Sequence, residues 1–400
     1  MSQIRPFQAI RPVKNKSCLV PSYSVETYSH TEINRILRNN PYSFLNIIAK
    51  PYIKNLPAGK RHQAIRKRVK KFLNNNIFVQ DNIPSLYVMR ITAKTGEQFT
   101  GLVGLASADE YLEGRIKKHE DVLDKRAGLF ADYLYNVKMN AEPVLLAHKP
   151  SSELDEIIAR VQTGIPIYEF SMTDGNVFEV WTVARHEQIH AVQSAFASFD
   201  ALYIADGHHR VESSARLKKR MQAENPYHTG LEFYNFFMAF FLPWDQLKIY
   251  GYNRGIRKLD TGFSDILKKL EGPFSVQAMD NFSPPEQDEV VLMHGRDFYS
   301  IRIPQSYFER GWSVPETVNN VIFKEIIPVN NLSDLIYCPA KNSRICIAKR
   351  LKAGECQLAL FLPPVPFSTI KRKADAGQTL PPKSTYIEPK LLSGLFIFEF

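Results

Sequence analysis

Hydrophobic and polar residues alternate in several short segments, and this pattern predicts paired β-strands. Residues 86–91 and 99–106 are rich in β-branched, aromatic and aliphatic side chains, and the turn at 94–97 between them predicts a hairpin. Residues 168–172 and 177–183 form a second such pair around Asp174 and Gly175, a dipeptide that favours a tight turn. Further strands are predicted at residues 44–48, 143–146, 202–205, 246–252, 290–293 and 298–303.

Apolar residues that recur every three or four positions predict helices between these strands. The helix predicted at 60–73 is strongly basic, with Ile65, Val69 and Phe72 on its apolar face. The most apolar run, residues 231–244, is too short to cross a bilayer and predicts a buried strand or core segment. Interleaved hairpins and helices indicate an α+β fold of mixed sheets with flanking helices. Other helices are predicted at residues 31–38, 122–137, 153–160 and 211–222.

The chain has 400 residues, which suits two lobes or two to three domains. A hydrophobic content of 44% and an aromatic content of 12% exclude wholesale disorder. The predicted elements suggest an N-terminal α/β lobe at 1–95, a central domain at 96–260 and a C-terminal α+β lobe at 261–400.

The net charge of +10 favours anionic partners such as phosphates, nucleotides or nucleic acid. The basic helix at 60–73 is more typical of a solvated surface than of a nucleic-acid patch, so we do not expect nucleic acid. The N-terminus lacks the apolar region of a secretory signal. The cysteines include no CxxC pair and suit no zinc site, which predicts a reduced, cytoplasmic protein. Because no apolar stretch is long enough to cross a bilayer, we expect no membrane attachment. The cysteines are Cys18, Cys338, Cys346 and Cys356.

The segment from Ala205 to Arg210 carries the strongest chemical signal. It lies where a predicted strand gives way to a helix, and the first N–H groups of a helix favour an anion. Gly207 permits a positive φ, and the guanidinium of Arg210 matches phosphate oxygens. His208 and His209 titrate near neutrality, and Asp206 can orient a histidine, bind a metal ion or act as a base. The simpler alternative is a structural cap, but a bare cap does not need these side chains together.

Two further clusters carry candidate chemistry. Residues 117–120, Lys-Lys-His-Glu, taken alone are more typical of a charged helix entry than of a catalytic site, with Glu120 favourable near the positive end of the dipole. Lys383, Ser384 and Thr385 follow two prolines and could hold a phosphate or form an ordinary turn. The sequence contains no GxxxxGK[ST], GxGxxG or HExxH motif and no kinase HRD/DFG pair. The remaining isolated histidines fit surface or hydrogen-bonded positions, and they include His62, His186, His190, His228 and His294.

These three clusters, in this order, resemble a family long catalogued as a domain of unknown function. That family is related to the free serine kinases within the ParB/sulfiredoxin superfamily. The resemblance runs nearly end to end, from the segment at 4–12 through 40–45, 101–104, 116–120 and 203–210 to 381–386. The segments at 116–120 and 203–210 are the specific ones. The resemblance implies a ParB/sulfiredoxin-like catalytic core at 96–260, with additional N- and C-terminal lobes.

By this resemblance the chain is a phosphotransferase that acts on an alcohol group. It would phosphorylate free L-serine from pyrophosphate or a nucleotide, giving O-phosphoserine. Glu120 would be the base on the serine hydroxyl, with Asp206 and His209 as further catalytic residues. Mg²⁺ would bridge donor oxygens and bind Asp206. A homodimer is compatible with this assignment. The donor-binding residues would be Gly207, His208, Arg210, Lys383, Ser384 and Thr385, and the substrate-binding residues Lys117, His119 and Arg254.

The chain departs from the family pattern at three places. Ser24 replaces an acidic residue, Asn253 replaces a histidine and Leu380 replaces a methionine. Two other functions are alternatives to the kinase. A ParB-like regulatory protein that binds nucleotide or DNA would use the net positive charge. A sulfiredoxin-like repair enzyme would need a reactive cysteine beside the phosphate site, and no cysteine is near 117–120 or 205–210 in sequence.

Overall fold

The computed structural model describes residues 2–50, 56–329 and 331–400. The strands within this part of the chain pair into five sheets, of which two are large. In chain order the strands are β1 Ile10–Pro12, β2 Phe78–Gln80, β3 Leu86–Thr92, β4 Gln98–Ser107, β5 Ile116–Lys117, β6 Met139–Asn140, β7 Val144–His148, β8 Tyr168–Ser171, β9 Val177–Val183, β10 Leu202–Asp206, β11 Phe236–Pro243, β12 Lys248–Tyr250, β13 Tyr252–Ile256, β14 Ser275–Met279, β15 Glu289–His294, β16 Asp297–Arg302, β17 Leu335–Pro339, β18 Leu358–Phe361, β19 Tyr386–Glu388 and β20 Phe398–Glu399.

Helices alternate with these strands along the chain, as expected for an α+β fold. A π-helical segment, Val318–Ile326, follows the eleventh α-helix directly. The α-helices are α1 His30–Asn39, α2 Leu45–Ile48, α3 Ala58–Asn74, α4 Ala108–Leu112, α5 Asp124–Val137, α6 Ser152–Gln162, α7 His186–Ala197, α8 His208–Glu224, α9 Phe263–Glu271, α10 Gln305–Glu309, α11 Val314–Thr317, α12 Ser343–Lys352 and α13 Phe367–Asp375. The predicted α+β class is therefore confirmed.

The described residues divide into two compact units. Unit 1 comprises Met1–Lys118, Val122–Leu247 and Pro389–Phe400, and unit 2 comprises His119–Asp121 and Lys248–Glu388. This division differs from the predicted boundaries at 95/96 and 260/261. The first of those boundaries falls inside the hairpin of β3 and β4, whose strands are hydrogen-bonded to each other from Tyr87 to Thr92.

Unit 1 is built around an eight-stranded mixed sheet in the order β5-β10-β7-β11-β4-β3-β9-β8. Its strand β11 is buried along its whole length, because it lies between β7 and β4 and is covered on both faces. This explains the apolar sequence at 236–243, which forms a central strand rather than an alternating one. The first part of the predicted run, 231–235, lies outside β11, and Leu231 and Phe233 are exposed. The two predicted hairpins, β3–β4 and β8–β9, are confirmed.

Unit 2 is built around a six-stranded antiparallel sheet in the order β14-β16-β15-β18-β13-β17. Its core joins the inner faces of β15 and β18 to helix α9 and the π-helical segment. A second ladder, β12 with β19, places Tyr250 opposite Tyr386. This short ladder fixes the segment that follows the Lys383–Thr385 cluster.

Two expectations from the sequence are wrong. The strand predicted at 44–48 is instead the short helix α2, Leu45–Ile48, with Phe44 as its N-cap, and the side chain of buried Asn46 donates to the carbonyl of Asn40. A short apolar run does not distinguish the two structures by itself. Cys338 and Cys346 form a disulfide across eight residues, so the cysteines are not all reduced thiols. Spacing gave no sign of this pair, because one cysteine is on β17 and the other on α12. Within the described ranges, no helix is long and apolar enough to span a bilayer.

Candidate functional site

The predicted strand–helix junction is present in unit 1. Strand β10 pairs with β7 on one side and with β5 on the other, and the ladder with β7 shifts register between Ile204 and Asp206. Gly207 then caps helix α8. The helix begins at His208, three residues before the predicted start, so His208, His209 and Arg210 form its first turn. The candidate side chains are therefore held on a helix rather than on a loop.

Gly207 is required at this junction for two reasons. Its φ is +98°, a left-handed conformation that costs other residues free energy. A Cβ placed there would also lie 3.0 Å from Nε of Arg210 and 3.1 Å from its Cζ. The glycine thus lets the guanidinium fold back over the turn, and it offers no side chain to cap the helix.

Two cations hold the carboxylate of Asp206. Nζ of Lys390 donates to Oδ1 at 3.0 Å, and Nη2 of Arg210 donates to Oδ2 at 2.7 Å. Burial by itself would raise the pKa of Asp206, but Lys390 and Arg210 outweigh it and lower that pKa to about 2. The carboxylate is therefore ionised at neutral pH and suited to orienting cations rather than accepting a proton.

Arg210 is held in place by several acceptors. Besides Asp206, it pairs with Glu142 at 3.0 Å and donates to the carbonyl of Pro143. The backbone carbonyl of Arg210 accepts from Ser213 and Ser214 one turn later, at 3.0 and 2.9 Å. The guanidinium consequently has one defined orientation at the start of α8. The sequence analysis missed Glu142 and Lys390, since neither belongs to a recognisable motif.

The histidines and Lys117 lie close to this junction in the same unit. His208 is buried, with 7% of its surface exposed, and its charge is one of the influences that lower the pKa of Asp206. His209 is half-buried beside it on the helix. Lys117 is on β5, directly opposite Tyr203 of β10. Three of the predicted positions thus lie in unit 1 with Asp206, two on α8 and one on β5.

Two residues of the second cluster, His119 and Glu120, meet the third cluster in unit 2. The backbone N–H of Leu380 donates to the carbonyl of His119 at 2.8 Å, and Glu120 forms a parallel bridge with Leu380. Nε2 of His119 lies 3.3 Å from Oγ1 of Thr385, and the His119 ring is 1% exposed. His119 and Thr385, far apart in sequence, are therefore in contact, and Glu120 lies beside Leu380.

Lys383 has an unusual backbone conformation. Its φ is +59°, which is uncommon for a residue with a side chain. The turn is closed by Oγ of Ser384, which donates to the carbonyl of Pro381 at 2.6 Å. Nζ of Lys383 lies 5.5 Å from the ring centre of Tyr252, and the residue is exposed. The hydroxyl of Ser384 thus donates a hydrogen bond within the turn, and Lys383 and Thr385 lie on either side of it in the chain.

Arg254 lies inside the sheet of unit 2. It is fully buried on β13, where it donates to Oδ1 of Asn319 and lies over the ring of Phe323 at 5.4 Å. Burial lowers the pKa of Arg254 to about 10. Among the described residues its Nε and Nη2 have no hydrogen-bond partner. Its predicted contact with a substrate stays a prediction.

The departures at 253 and 380 have structural partners. Oδ1 of Asn253 accepts the backbone N–H of Leu362 at 3.0 Å and ties β13 to the end of β18. Leu380 is buried and carries the hydrogen bond to His119. The side chain of Asn253 is therefore used in a hydrogen bond between strands, and the side chain of Leu380 is packed in the interior of unit 2.

The sequence predicts Mg²⁺ at Asp206. Both oxygens of that carboxylate already accept from cations, and the described part of the chain contains no group of three His, Cys, Asp or Glu side chains placed to hold a metal ion. Mg²⁺ in phosphate sites takes one or two carboxylates together with substrate oxygens. The residues present do not by themselves form such a site, so no chemical step is derived through the metal, and Mg²⁺ stays a prediction.

Comparison with known proteins gives a family match and distant structural similarities. Free serine kinase in complex with AMP is 14% identical over 73% of this chain and 92% of its own, with a TM-score of 0.35. SbnI with a C-terminal truncation, from Staphylococcus aureus, is 11% identical over 72% and 82%, with a TM-score of 0.38. A conserved hypothetical protein from Pyrococcus furiosus is 12% identical over 73% and 94%, with a TM-score of 0.35.

No curated protein matches the sequence. Residues 4–327 match a family model described as "Protein of unknown function (DUF1015)". This match covers most of the chain and includes the clusters at 117–120 and 205–210. The chain therefore belongs to the DUF1015 family, which confirms the domain-of-unknown-function family predicted from its motifs.

Proposed function

We propose that this protein is a kinase that transfers a phosphoryl group from pyrophosphate or a nucleotide to the hydroxyl of free L-serine. The junction at Asp206 supports this most strongly, because oriented cations meet a helix start there. Phosphoryl transfer depends mainly on positioning and positive charge rather than on covalent help. A pyrophosphate donor also needs no adenine pocket, which agrees with the missing nucleotide motifs.

In the proposed reaction Glu120 accepts the proton of the serine hydroxyl. The serine oxygen forms a bond to the phosphorus, and the bridging P–O bond breaks, so its electron pair leaves with orthophosphate when pyrophosphate is the donor. Arg210 and the histidines of α8 bind the donor oxygens, and Asp206 with Lys390 holds the guanidinium in position. Lys383 and Thr385 would add further contacts to phosphate.

The finer assignments belong to the same proposal. The catalytic core is assigned to the ParB/sulfiredoxin type, which the eight-stranded mixed sheet of unit 1 is compatible with. Mg²⁺ at Asp206 is kept as the proposed cofactor, and no step of the reaction is derived through it. Lys117, His119 and Arg254 are proposed to contact the acceptor.

A screen of donors and acceptors tests the proposal. Pyrophosphate, ADP and ATP are each incubated with Mg²⁺ and with L-serine, L-threonine or glycerol, and orthophosphate or nucleotide products are measured. We expect serine-dependent release with at least one donor and its loss in Glu120→Gln. Glu113→Gln serves as the matched control, because Glu113 is exposed and its carboxylate pairs only with neighbouring Arg115 among the ion pairs described. Absence of release with every donor would overturn the proposal.

A regulatory protein that binds nucleotide or DNA is the second candidate. Helix α3 supports it, because Lys60, Lys67, Lys70 and Lys71 are exposed while its apolar face is buried. Nucleic-acid binding through such lysines would weaken steeply as salt rises. A fluorescence titration with duplex DNA decides this candidate: binding that salt disrupts supports it, and no binding at low salt removes it.

A further inference from the structure

A cleft of about 670 Å³ opens in unit 2 beside the hairpin of β15 and β16. Its size falls in the range of small-molecule sites, roughly 300 to 1,000 Å³. None of its lining residues belongs to the clusters at 117–120 or 383–385. One wall, formed by residues 348–357, also lies beyond residues 4–327, which match the family model.

A parallel ring stack forms part of the cleft. Phe263, the first residue of α9, stacks on His294 at the end of β15 with ring centres 3.9 Å apart and planes at 8°. Both rings are half-buried and line the cleft, together with the apolar side chains of Met293 and Leu351. Such a surface favours a flat, apolar group over a purely polar ligand.

The rim of the cleft is cationic. Arg296 is in the turn between β15 and β16, and Lys352 is the last residue of α12. Both are exposed, and within the described ranges neither has an ion-pair partner. The lining contains no Asp or Glu, so nothing in the cleft wall offsets their charge. Arginine and lysine in this arrangement favour an anionic group such as phosphate, sulfonate or carboxylate.

A buried, uncharged side chain also lines the cleft. Cys356 is buried, and burial raises the pKa of its thiol, so the sulfur is neutral there. The side chain of Gln357 accepts the backbone N–H of Leu259, which fixes the wall where the two segments meet. The cleft therefore combines an apolar, aromatic interior with a cationic opening.

We propose that this cleft binds a small ligand that joins an aromatic ring to an anionic group. The ring would lie against the Phe263–His294 stack and the apolar interior, and the anion would meet Arg296 and Lys352. The site is separate from the proposed kinase chemistry and would give unit 2 a ligand-binding function of its own.

Isothermal titration calorimetry with 1-naphthyl phosphate tests this assignment. Inorganic phosphate and 1-naphthol supply the charge and the ring separately, and each should bind at least about tenfold more weakly. The double substitution Arg296→Ala with Lys352→Ala should weaken binding about tenfold. Phe263→Leu, which keeps an apolar side chain but removes the ring, should weaken it about fivefold.

The matched control is the double substitution Lys268→Ala with Lys269→Ala. It removes the same charge from exposed positions on α9 that do not line the cleft, and it should leave the affinity unchanged. Circular dichroism establishes that each variant is folded. The assignment is overturned if the Arg296 and Lys352 variant binds like the wild type, if the control variant loses as much affinity, or if 1-naphthol binds as tightly as its phosphate.

Discussion

At the scale of single residues, the carboxylate of Asp206 is defined by its neighbours. Lys390 and Arg210 approach its two oxygens at 3.0 and 2.7 Å, and together they lower its pKa to about 2 against the effect of burial. A group with that pKa is a weak proton acceptor at neutral pH. We therefore expect Asp206 to contribute to catalysis by orienting the guanidinium of Arg210. Proton transfer is assigned to Glu120.

The lowered pKa of Asp206 has a consequence for stability. A carboxyl whose pKa falls on folding stabilises the native state fully above its unfolded pKa of about 4, and that stabilisation is lost as the pH falls towards the folded value of about 2. The free energy of unfolding should therefore drop less steeply between about pH 4 and 2 in Asp206→Asn than in the wild type. Urea unfolding at several pH values measures this, with exposed Asp200→Asn as the control. Equal slopes for wild type and Asp206→Asn would contradict the ion-pair account.

Lys383 allows a role in phosphate binding to be separated from a role in the fold. Glycine adopts the φ of +59° found there without the conformational strain of about 1 kcal/mol that a residue with a side chain incurs. Glycine also loses more conformational entropy on folding, by a similar amount, so the two effects on the free energy of unfolding nearly cancel. Lys383→Gly should thus change the free energy of unfolding by less than about 1 kcal/mol while lowering kcat/KM at least about tenfold. Thermal unfolding and steady-state kinetics on the same sample give both values. Full activity in this variant would remove Lys383 from the proposed site.

At the scale of elements, the sequence predicted those segments whose hydrophobic period is long and regular. The hairpins β3–β4 and β8–β9 and the basic helix α3 agree with their predicted positions to within a few residues. Helix α7 was not predicted, because its buried residues occur only in its last turns. The strand predicted at 44–48 is the short helix Leu45–Ile48, in which the backbone N–H groups of Asn46 and Ile47 bond to carbonyls three residues back. Periodicity carries no information about such contacts.

Strand β13 carries a guanidinium at a position where an apolar side chain is usual. Replacing a buried charge by a residue of similar volume is often neutral or stabilising, although Asn319 would lose its donor at a cost of about 1 kcal/mol. Arg254→Met should therefore reduce the free energy of unfolding by no more than about 1 kcal/mol. If Arg254 contacts the acceptor as proposed, KM for L-serine rises in this variant. An unchanged KM with unchanged stability would show that Arg254 serves the packing of the sheet alone.

At the scale of the whole molecule, the motifs located the candidate residues but not their surroundings. The sequence placed Asp206 and Arg210 at a strand–helix junction, and the turn at Gly207 followed from its residue type. It could not supply Lys390, which is 184 residues away in the chain, or Glu142, because such contacts arise only from the pairing of β10 with β7 and from the return of the C-terminal segment to unit 1. The same limit explains the disulfide between Cys338 and Cys346, which depends on how α12 packs against β17.

The central claim is that the phosphoryl group reaches the hydroxyl of L-serine. Phosphorus NMR of the wild-type protein with Mg²⁺, L-serine and pyrophosphate, ADP or ATP in turn measures this directly, because O-phosphoserine gives a signal separate from those of the donors and of orthophosphate. The account predicts O-phosphoserine with at least one donor, in an amount equal to that of the donor's other product, and none with Glu120→Gln. Absence of O-phosphoserine with every donor, or an active Glu120→Gln variant, would contradict it.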